Sequence, residues 1–337
     1  MRGDPLKAIA FNRYGSTDVL ELQDIDTPRP KDGDVLVQVR AAAINPYDWH
    51  IMAGLPSFVR LQSGLRRPKI TGIGSDLAGR VEAVGPRVTR FRPGDEVYGR
   101  VDQLPGSNLM ALGSVAEYVR VSERSIRPRP ARLTAEEAAA VPLAGITALW
   151  AMRDVGAVQP GQQVLVNGAS GGVGTFAVQI ARAMGAEVTG VCSTRNVDLV
   201  RSLGADHVVD YTREDVTRGA QRFDLLLDNV GNHSPTACLR ILKPGATYLA
   251  SFDHPWNRWL GPMGHVLRMA VRSRFARKRM AVLRPERRDG DLDTLTELID
   301  AHAVTPVVDR TFPLVEARQA MEYLAGRHAR GKVVITP

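Results

Sequence analysis

The spacing of apolar residues along this chain changes character near residue 130. Upstream, Val35-Leu-Val-Gln-Val-Arg40 alternates apolar and polar positions, as a half-buried strand does. Ala78-Gly-Arg-Val-Glu-Ala-Val84, Glu96-Val-Tyr98 and Ala116-Glu-Tyr-Val-Arg-Val121 follow, separated by the turn segments Pro28-Arg-Pro30, Gly85-Pro86 and Arg92-Pro-Gly-Asp95. Many short strands with regular turns predict a barrel-like domain. Arg127-Pro-Arg-Pro130 marks its end, and Thr134-Ala-Glu-Glu137 reads as a capping box opening a helix over 135–141.

Downstream, the apolar run Gln163-Val-Leu-Val166 leads into Asn167-Gly-Ala-Ser-Gly-Gly-Val-Gly174 and then an amphipathic segment, 175–184. That is a strand, a glycine turn and a helix. Glu187–Cys192 reads as the next strand, 197–203 as a helix, and 205–210 and 223–228 as further strands. This alternation predicts an α/β domain with a doubly wound parallel sheet. The chain closes with 304–308, a helix over 314–324 and a strand at Lys332-Val-Val-Ile335, elements expected to return to the first domain.

Glycines 168, 171 and 174 have the spacing G-x-x-G-x-x-G, with a further glycine at 172. A turn so free of side chains lets backbone N–H groups approach a pyrophosphate, and the helix N-terminus behind it adds partial positive charge. Ala169, Ser170, Gly171, Gly172 and Val173 are therefore the expected phosphate-binding segment, and the expected ligand is a dinucleotide. An α/β domain whose loop binds nothing is the alternative. The second strand runs into Cys192-Ser-Thr-Arg195 without a carboxylate, where NAD sites of this type place Asp or Glu about 20 residues past the glycines. Ser193 and Arg195 suit a 2′-phosphate instead, which favours NADPH over NADH. Tyr211, just past the third strand, is a further candidate. A solvated loop arginine and a surface tyrosine are the plainer readings of these two residues.

Composition narrows the class. The 337 residues, 44% hydrophobic and 24% charged, describe an ordinary soluble protein of two domains. Two cysteines exclude a disulfide framework and a four-cysteine metal site. Cys192 is expected to be buried on a strand and Cys238 in a helix, in keeping with a reducing cytoplasm. The start of the chain has no secretion signal, and no apolar run approaches a membrane span. The net charge of +8 is local: residues 268–288 hold nine arginines and lysines against one acid, Glu286. Interleaved aromatics for base stacking are missing there, so nucleic acid is not an expected partner. A solvated helix face with an adjoining loop, a rim steering phosphate-bearing substrates, and an anionic surface contact all remain open.

The order of domains, with the motifs Ala43-Ile-Asn-Pro-Tyr-Asp48, Gly74-Ser-Asp-Leu-Ala-Gly79, Val84-Gly85, Phe91-Arg-Pro-Gly-Asp-Glu-Val97, Gly145-Ile-Thr-Ala148, Gly168–Gly174 and Gly331-Lys-Val-Val334, resembles the medium-chain dehydrogenase/reductase superfamily. Within it the chain looks like the zinc-independent quinone oxidoreductase branch, which includes enone and enoyl reductases, and like bacterial NAD(P)-dependent alcohol dehydrogenase-like members. The resemblance implies a GroES-like β-barrel substrate domain over 1–128, a Rossmann NADPH-binding domain over 129–290, a C-terminal return over 291–337 and a homodimer. It places Asn45 near the nicotinamide ribose or substrate oxygen, and Thr147 on the nicotinamide. It puts Asn229, Val230 and Gly231 along the ribose, Ser251 and Phe252 near the carboxamide, and Arg330 and Lys332 over the cofactor. Asn45 as a simple chain turn before Pro46, and Lys332 as a surface charge, are the structural alternatives.

Zinc-dependent members carry a cysteine where this chain has Asn45 and Gly-His-Glu where it has Gly74-Ser75-Asp76. Many also carry a four-cysteine lobe, whereas residues 95–115 here contain no cysteine. Zinc prefers thiolate and imidazole ligands, so no metal is expected. Without a metal to lower an alcohol's pKa, the expected reaction is hydride addition to an already electrophilic acceptor, a quinone or an α,β-unsaturated carbonyl. Asn45 and His50 are the candidate catalytic residues. Tyr47 and Tyr98 are further candidates for the proton, although water or a ribose hydroxyl serves equally. A metal-free carbonyl/alcohol oxidoreductase and a non-catalytic NADPH-binding protein are the competing readings.

Overall fold

The alternating segment at 35–40 becomes the middle of a longer strand around which the first unit is organised. The structure, a computed structural model, describes residues 5–101, 113–251, 263–275, 277–282 and 290–337. These divide into two compact units, one drawn from 1–143, 288–300 and 306–337 and one from 144–287 and 301–305. Phe252 and, within the basic stretch, Ala276 and residues 283–288 lie outside the described residues.

In the first unit, β1 (Pro5–Ala10) and β2 (Glu21–Asp26) pair antiparallel. A second sheet holds β3 (Asp34–Ile44), β4 (Asp76–Val84), β5 (Glu96–Arg100), β6 (Tyr118–Ser122), β7 (Ile126–Pro128), β14 (Val308–Pro313) and β15 (Lys332–Thr336). Its order is β14-β15-β3-β4-β5-β7, with β6 also on β3. β3 is central: β4 runs along one edge, while β6 and then β15 share the other. That accounts for its length, and Ala41, Ala42, Ala43 and Ile44 are all buried rather than alternating. Residues of β3, β4, β5 and β15 join Phe11, Met52, Leu314 and Met321 in one apolar core. The box at Thr134 forms as its spacing predicts. The hydroxyl accepts from Glu137 N–H at 3.2 Å, and the Glu137 carboxylate accepts from Thr134 N–H at 2.9 Å.

The second unit is built on β8 (Gln163–Asn167), β9 (Glu187–Cys192), β10 (His207–Asp210), β11 (Phe223–Asp228), β12 (Leu242–Ala250) and β13 (Arg279–Val282), all parallel. Their spatial order is β10-β9-β8-β11-β12-β13. This is the Rossmann arrangement, and the order reverses between β8 and β11, where such sheets open a ligand crevice at their carboxyl ends. Val164, Leu165 and Val166 are fully buried, as a parallel strand covered on both faces requires. Cys192 lies buried at the end of β9 and Cys238 buried in the helix Pro235–Arg240, both as free thiols. The basic stretch begins on the helix Met263–Phe275, where Arg268 and Arg272 are exposed.

Candidate functional site

The glycine turn sits where β8 passes into the helix Gly172–Ala183. Gly168 takes φ +80°, and its N–H and that of Ala169 both donate to Val191 O on β9. Gly174 packs the helix onto the turn so closely that a Cβ there would stand 2.1 Å from Gly168 O. Gly171 differs: among the described residues, a Cβ would meet only Gly168 O, at 3.6 Å. The described residues thus leave a cradle open over the Gly171 Cα. The Gly171 N–H donates to Gly168 O at 3.2 Å. Gly172 and Val173 stand in the first helical turn, where no preceding turn supplies carbonyls, so their N–H groups face the position an anion takes.

A buried hydrogen-bond hub holds the neighbouring strand ends, and nothing in the sequence period marks it. Asp228, at the end of β11, accepts at Oδ1 from Asn167 Nδ2 (2.9 Å), Val230 N–H (3.1 Å) and Gly231 N–H (2.8 Å), and at Oδ2 from the Tyr248 hydroxyl (2.8 Å). Burial, with the Asp228 charge beside it, pushes the Tyr248 phenol far up. The hub folds Asn229-Val230-Gly231 back over the strand end. Both polar atoms of the Asn229 amide are buried there without a protein partner. An orphaned amide of this kind is costly unless a ligand satisfies it. The open cradle at Gly171, the first-turn N–H groups and this amide together fit a dinucleotide. Ser251 follows β12, and its N–H donates to Asp228 O at 2.9 Å.

At the tip of β9, Asn196 Nδ2 donates to Ser170 Oγ (3.0 Å) and Ser193 Oγ (3.2 Å), so one buried amide sets both hydroxyls. Arg195 and Tyr211 are exposed. Asp210, at the adjacent tip of β10, is a carboxylate the sequence reading did not bring into the site. Bonds from the Thr194 and Thr212 hydroxyls, Thr194 foremost, hold its pKa below the ordinary carboxylate range. Thr147 lies half-buried in the helix Pro142–Leu149.

In the first unit, β3 ends at Asn45, which starts the helix Pro46–Ala53. The Asn45 amide is engaged within the unit: Nδ2 donates to Ser75 Oγ (2.7 Å) and Asp76 Oδ2 (3.0 Å), and Oδ1 accepts from Lys332 Nζ. Lys332, only 3% exposed, also donates to Asp76 Oδ2 at 3.2 Å. The reading of Lys332 as a surface charge is therefore corrected, because β15 carries it into the barrel beside Asp76. Arg330 is exposed, and its N–H donates to Asp309 at 2.8 Å.

His50 lies on the helix after Asn45, with Nδ1 2.8 Å from Leu55 O; since a carbonyl only accepts, Nδ1 carries the hydrogen. Tyr98 is fully buried, donating to Leu292 O (3.1 Å) with Thr296 Oγ1 at 2.8 Å. Burial raises its pKa to about 12. Tyr98 thus anchors the helix Asp291–Asp300.

Asp48 is a buried carboxyl that accepts from Asn45 N–H (2.6 Å) and Gly74 N–H (3.0 Å). Burial, above all, raises its pKa to about 7; the Asp76 charge adds to this, while the two N–H bonds and Lys332 oppose it. The folded value lies above the unfolded one, so the native state keeps a proton that the unfolded chain releases. This contribution to stability is full below the ordinary carboxylate pKa and is lost as pH rises through about 7. Urea unfolding of the wild type is expected to show a decline across that window on the order of a few kcal/mol, flattened in Asp48→Asn. Equal slopes for the two proteins would remove Asp48 as the cause.

Two families match this chain: one described as an alcohol dehydrogenase GroES-like domain, over residues 31–131, and one described as a zinc-binding dehydrogenase, over residues 203–335. The mouse mitochondrial NAD(P)H oxidoreductase RTN4IP1 is 34% identical, covering 99% of this chain and 90% of its own. The Arabidopsis thaliana chloroplastic NADPH-dependent alkenal/one oxidoreductase is 33% identical, covering 98% of this chain and 80% of its own. The solved quinone oxidoreductase of Coxiella burnetii superposes with a TM-score of 0.84 at 29% identity, covering 99% of both chains. The zinc in the second family's description does not suit the residues here. Asn45, Ser75 and Asp76 supply neither thiolate nor imidazole, and an ammonium already stands among them. Among the described residues, no three His, Cys, Asp or Glu side chains converge to hold a metal, and no helix is long and apolar enough to cross a membrane. The barrel unit, the Rossmann strand order and these full-length likenesses identify the chain as a member of the medium-chain dehydrogenase/reductase superfamily, in its quinone oxidoreductase-like branch.

Proposed function

We propose that this protein is an NADPH-dependent reductase that adds hydride to a quinone or an α,β-unsaturated carbonyl without a metal ion. The observation that carries the reading is the Lys332 ammonium bonded to Asn45 and Asp76, where a metal-dependent relative would need open ligands. A divalent ion beside that buried ammonium meets like charge and has no soft ligand. The names of the Arabidopsis thaliana and Coxiella burnetii relatives support the same substrate class.

When bound, the reduced nicotinamide supplies the hydride. The first-turn N–H groups of Gly172 and Val173 would hold the diphosphate, and the Asn229 amide, shaped by the Asp228 hub, would find its partners on the ribose side. Ser193 and Arg195 select the 2′-phosphate. His50, with Nδ1 turned to a backbone carbonyl, orders its own turn, and solvent or a hydroxyl of the bound cofactor would supply the proton.

The test is NADPH oxidation in the presence of EDTA, against quinones, enones, aldehydes and no acceptor. Enone or quinone turnover insensitive to EDTA is the expected result. EDTA-sensitive alcohol oxidation sinks the metal-free reading, and tight NADPH binding with no turnover on any acceptor marks a non-catalytic binder. Cofactor choice is separable: Arg195→Ala is expected to weaken NADPH about tenfold while leaving NADH unchanged. Parallel losses for both coenzymes would take Arg195 out of the phosphate site.

A further inference from the structure

We propose that the buried Lys332 ammonium is a positioning cation that fixes the Asn45–Asp48 turn at the mouth of the barrel sheet. The register of the sheet brings it there. Val333 pairs with Ile44 in the antiparallel ladder of β15 and β3, which sets Lys332 opposite Asn45, the residue at which the strand becomes a helix. The ammonium donates to Asn45 Oδ1 and to Asp76 Oδ2, 3.2 Å away. Asn45 Nδ2 bridges to Asp76 and Ser75, and the second oxygen of Asp76 accepts from Leu143 N–H at 3.0 Å. The ends of β3, β4 and β15 and the start of the helix at 142 are thereby tied to one ion pair, 3% exposed at the lysine and 0% at the aspartate.

Burying two opposite charges costs solvation that their attraction offsets only when the remaining donors and acceptors are bonded. Here both carboxylate oxygens and the full Asn45 amide are bonded. For stability alone an apolar pair of similar volume serves as well or better. What it cannot do is orient an amide from both ends. The Asn45 side chain is held by a cation at its oxygen and by acceptors at its nitrogen, so its peptide and that of Asp48, linked by Asp48 N–H to Asn45 O at 2.9 Å, have one arrangement. Only the kinetic consequence rests on the reductase reading; the positioning role does not.

The experiment compares Lys332→Met, Asp76→Asn and the double variant in the full chain. Each single change leaves one buried charge alone and is expected to raise the unfolding constant about a hundredfold; the double variant should return to within about tenfold of wild type. A double variant whose loss equals the product of the singles overturns the pairing. Positioning is read in the stable double variant, where amide hydrogens of Asn45 and Asp48 should exchange about tenfold faster while those of β8 and β11 keep wild-type rates. There kcat should fall about tenfold with the Kd for NADPH held within about threefold. Exchange at wild-type rates in that variant overturns the positioning role, and a wild-type kcat overturns its kinetic consequence. If the wild type reduces no acceptor, the reductase reading fails, and the unfolding and exchange measurements still decide the role of Lys332.

Discussion

Gly171→Val is expected to weaken NADPH binding about a hundredfold while moving stability by less than about 1 kcal/mol. The argument is steric. Gly171 has φ −83° and ψ 174°, extended backbone that any residue adopts, and a Cβ there meets no atom of the described residues closer than 3.6 Å. The folded chain therefore has no objection to a side chain at this position, whereas a phosphate approaching the first helical turn does. Gly174 makes the contrast: its Cβ would collide with Gly168 O at 2.1 Å, so Gly174→Val should damage the unit itself. Fluorescence titration with NADPH beside a thermal melt separates the two cases. Wild-type affinity in Gly171→Val would show that the diphosphate lies elsewhere.

Asp228→Ala is expected to destabilise the nucleotide unit by about 4 kcal/mol, because it strands four donors at once, three of them in buried bonds. Asn167 Nδ2, the N–H groups of Val230 and Gly231, and the Tyr248 hydroxyl all converge on this one carboxylate. Asp228→Asn keeps one carbonyl acceptor and should lose roughly half as much. Urea unfolding followed by fluorescence measures both. A loss in Asp228→Ala no larger than that of an ordinary surface substitution, within about 0.5 kcal/mol, would refute the hub.

The two units differ in how far local pattern predicts them. β11 runs over 223–228 as its apolar run indicates, and the Thr134–Glu137 box forms both of its bonds, because each depends on residues within one turn or one strand. β3 is longer than its alternating segment. The period of two breaks at Ala41–Ile44, where both faces are buried, and β15, nearly 290 positions later, pairs with that end of the strand. The phosphate turn was legible for the same local reason: glycine spacing, a strand before it and a helix after it determine the backbone path.

The sequence by itself determined the order of elements, the parallel sheet, the glycine turn and the family to which these belong, since periodicity and turn chemistry act over a few residues. Tertiary structure alone decided which polar side chains meet. It turned Lys332 inward to Asn45 and Asp76, took the hydroxyl of Tyr98 into the barrel unit's own packing, and gathered four donors on Asp228. The physical reason is that a buried charge or hydroxyl is placed by the need to satisfy it across strands distant in the chain, a need that no local spacing records.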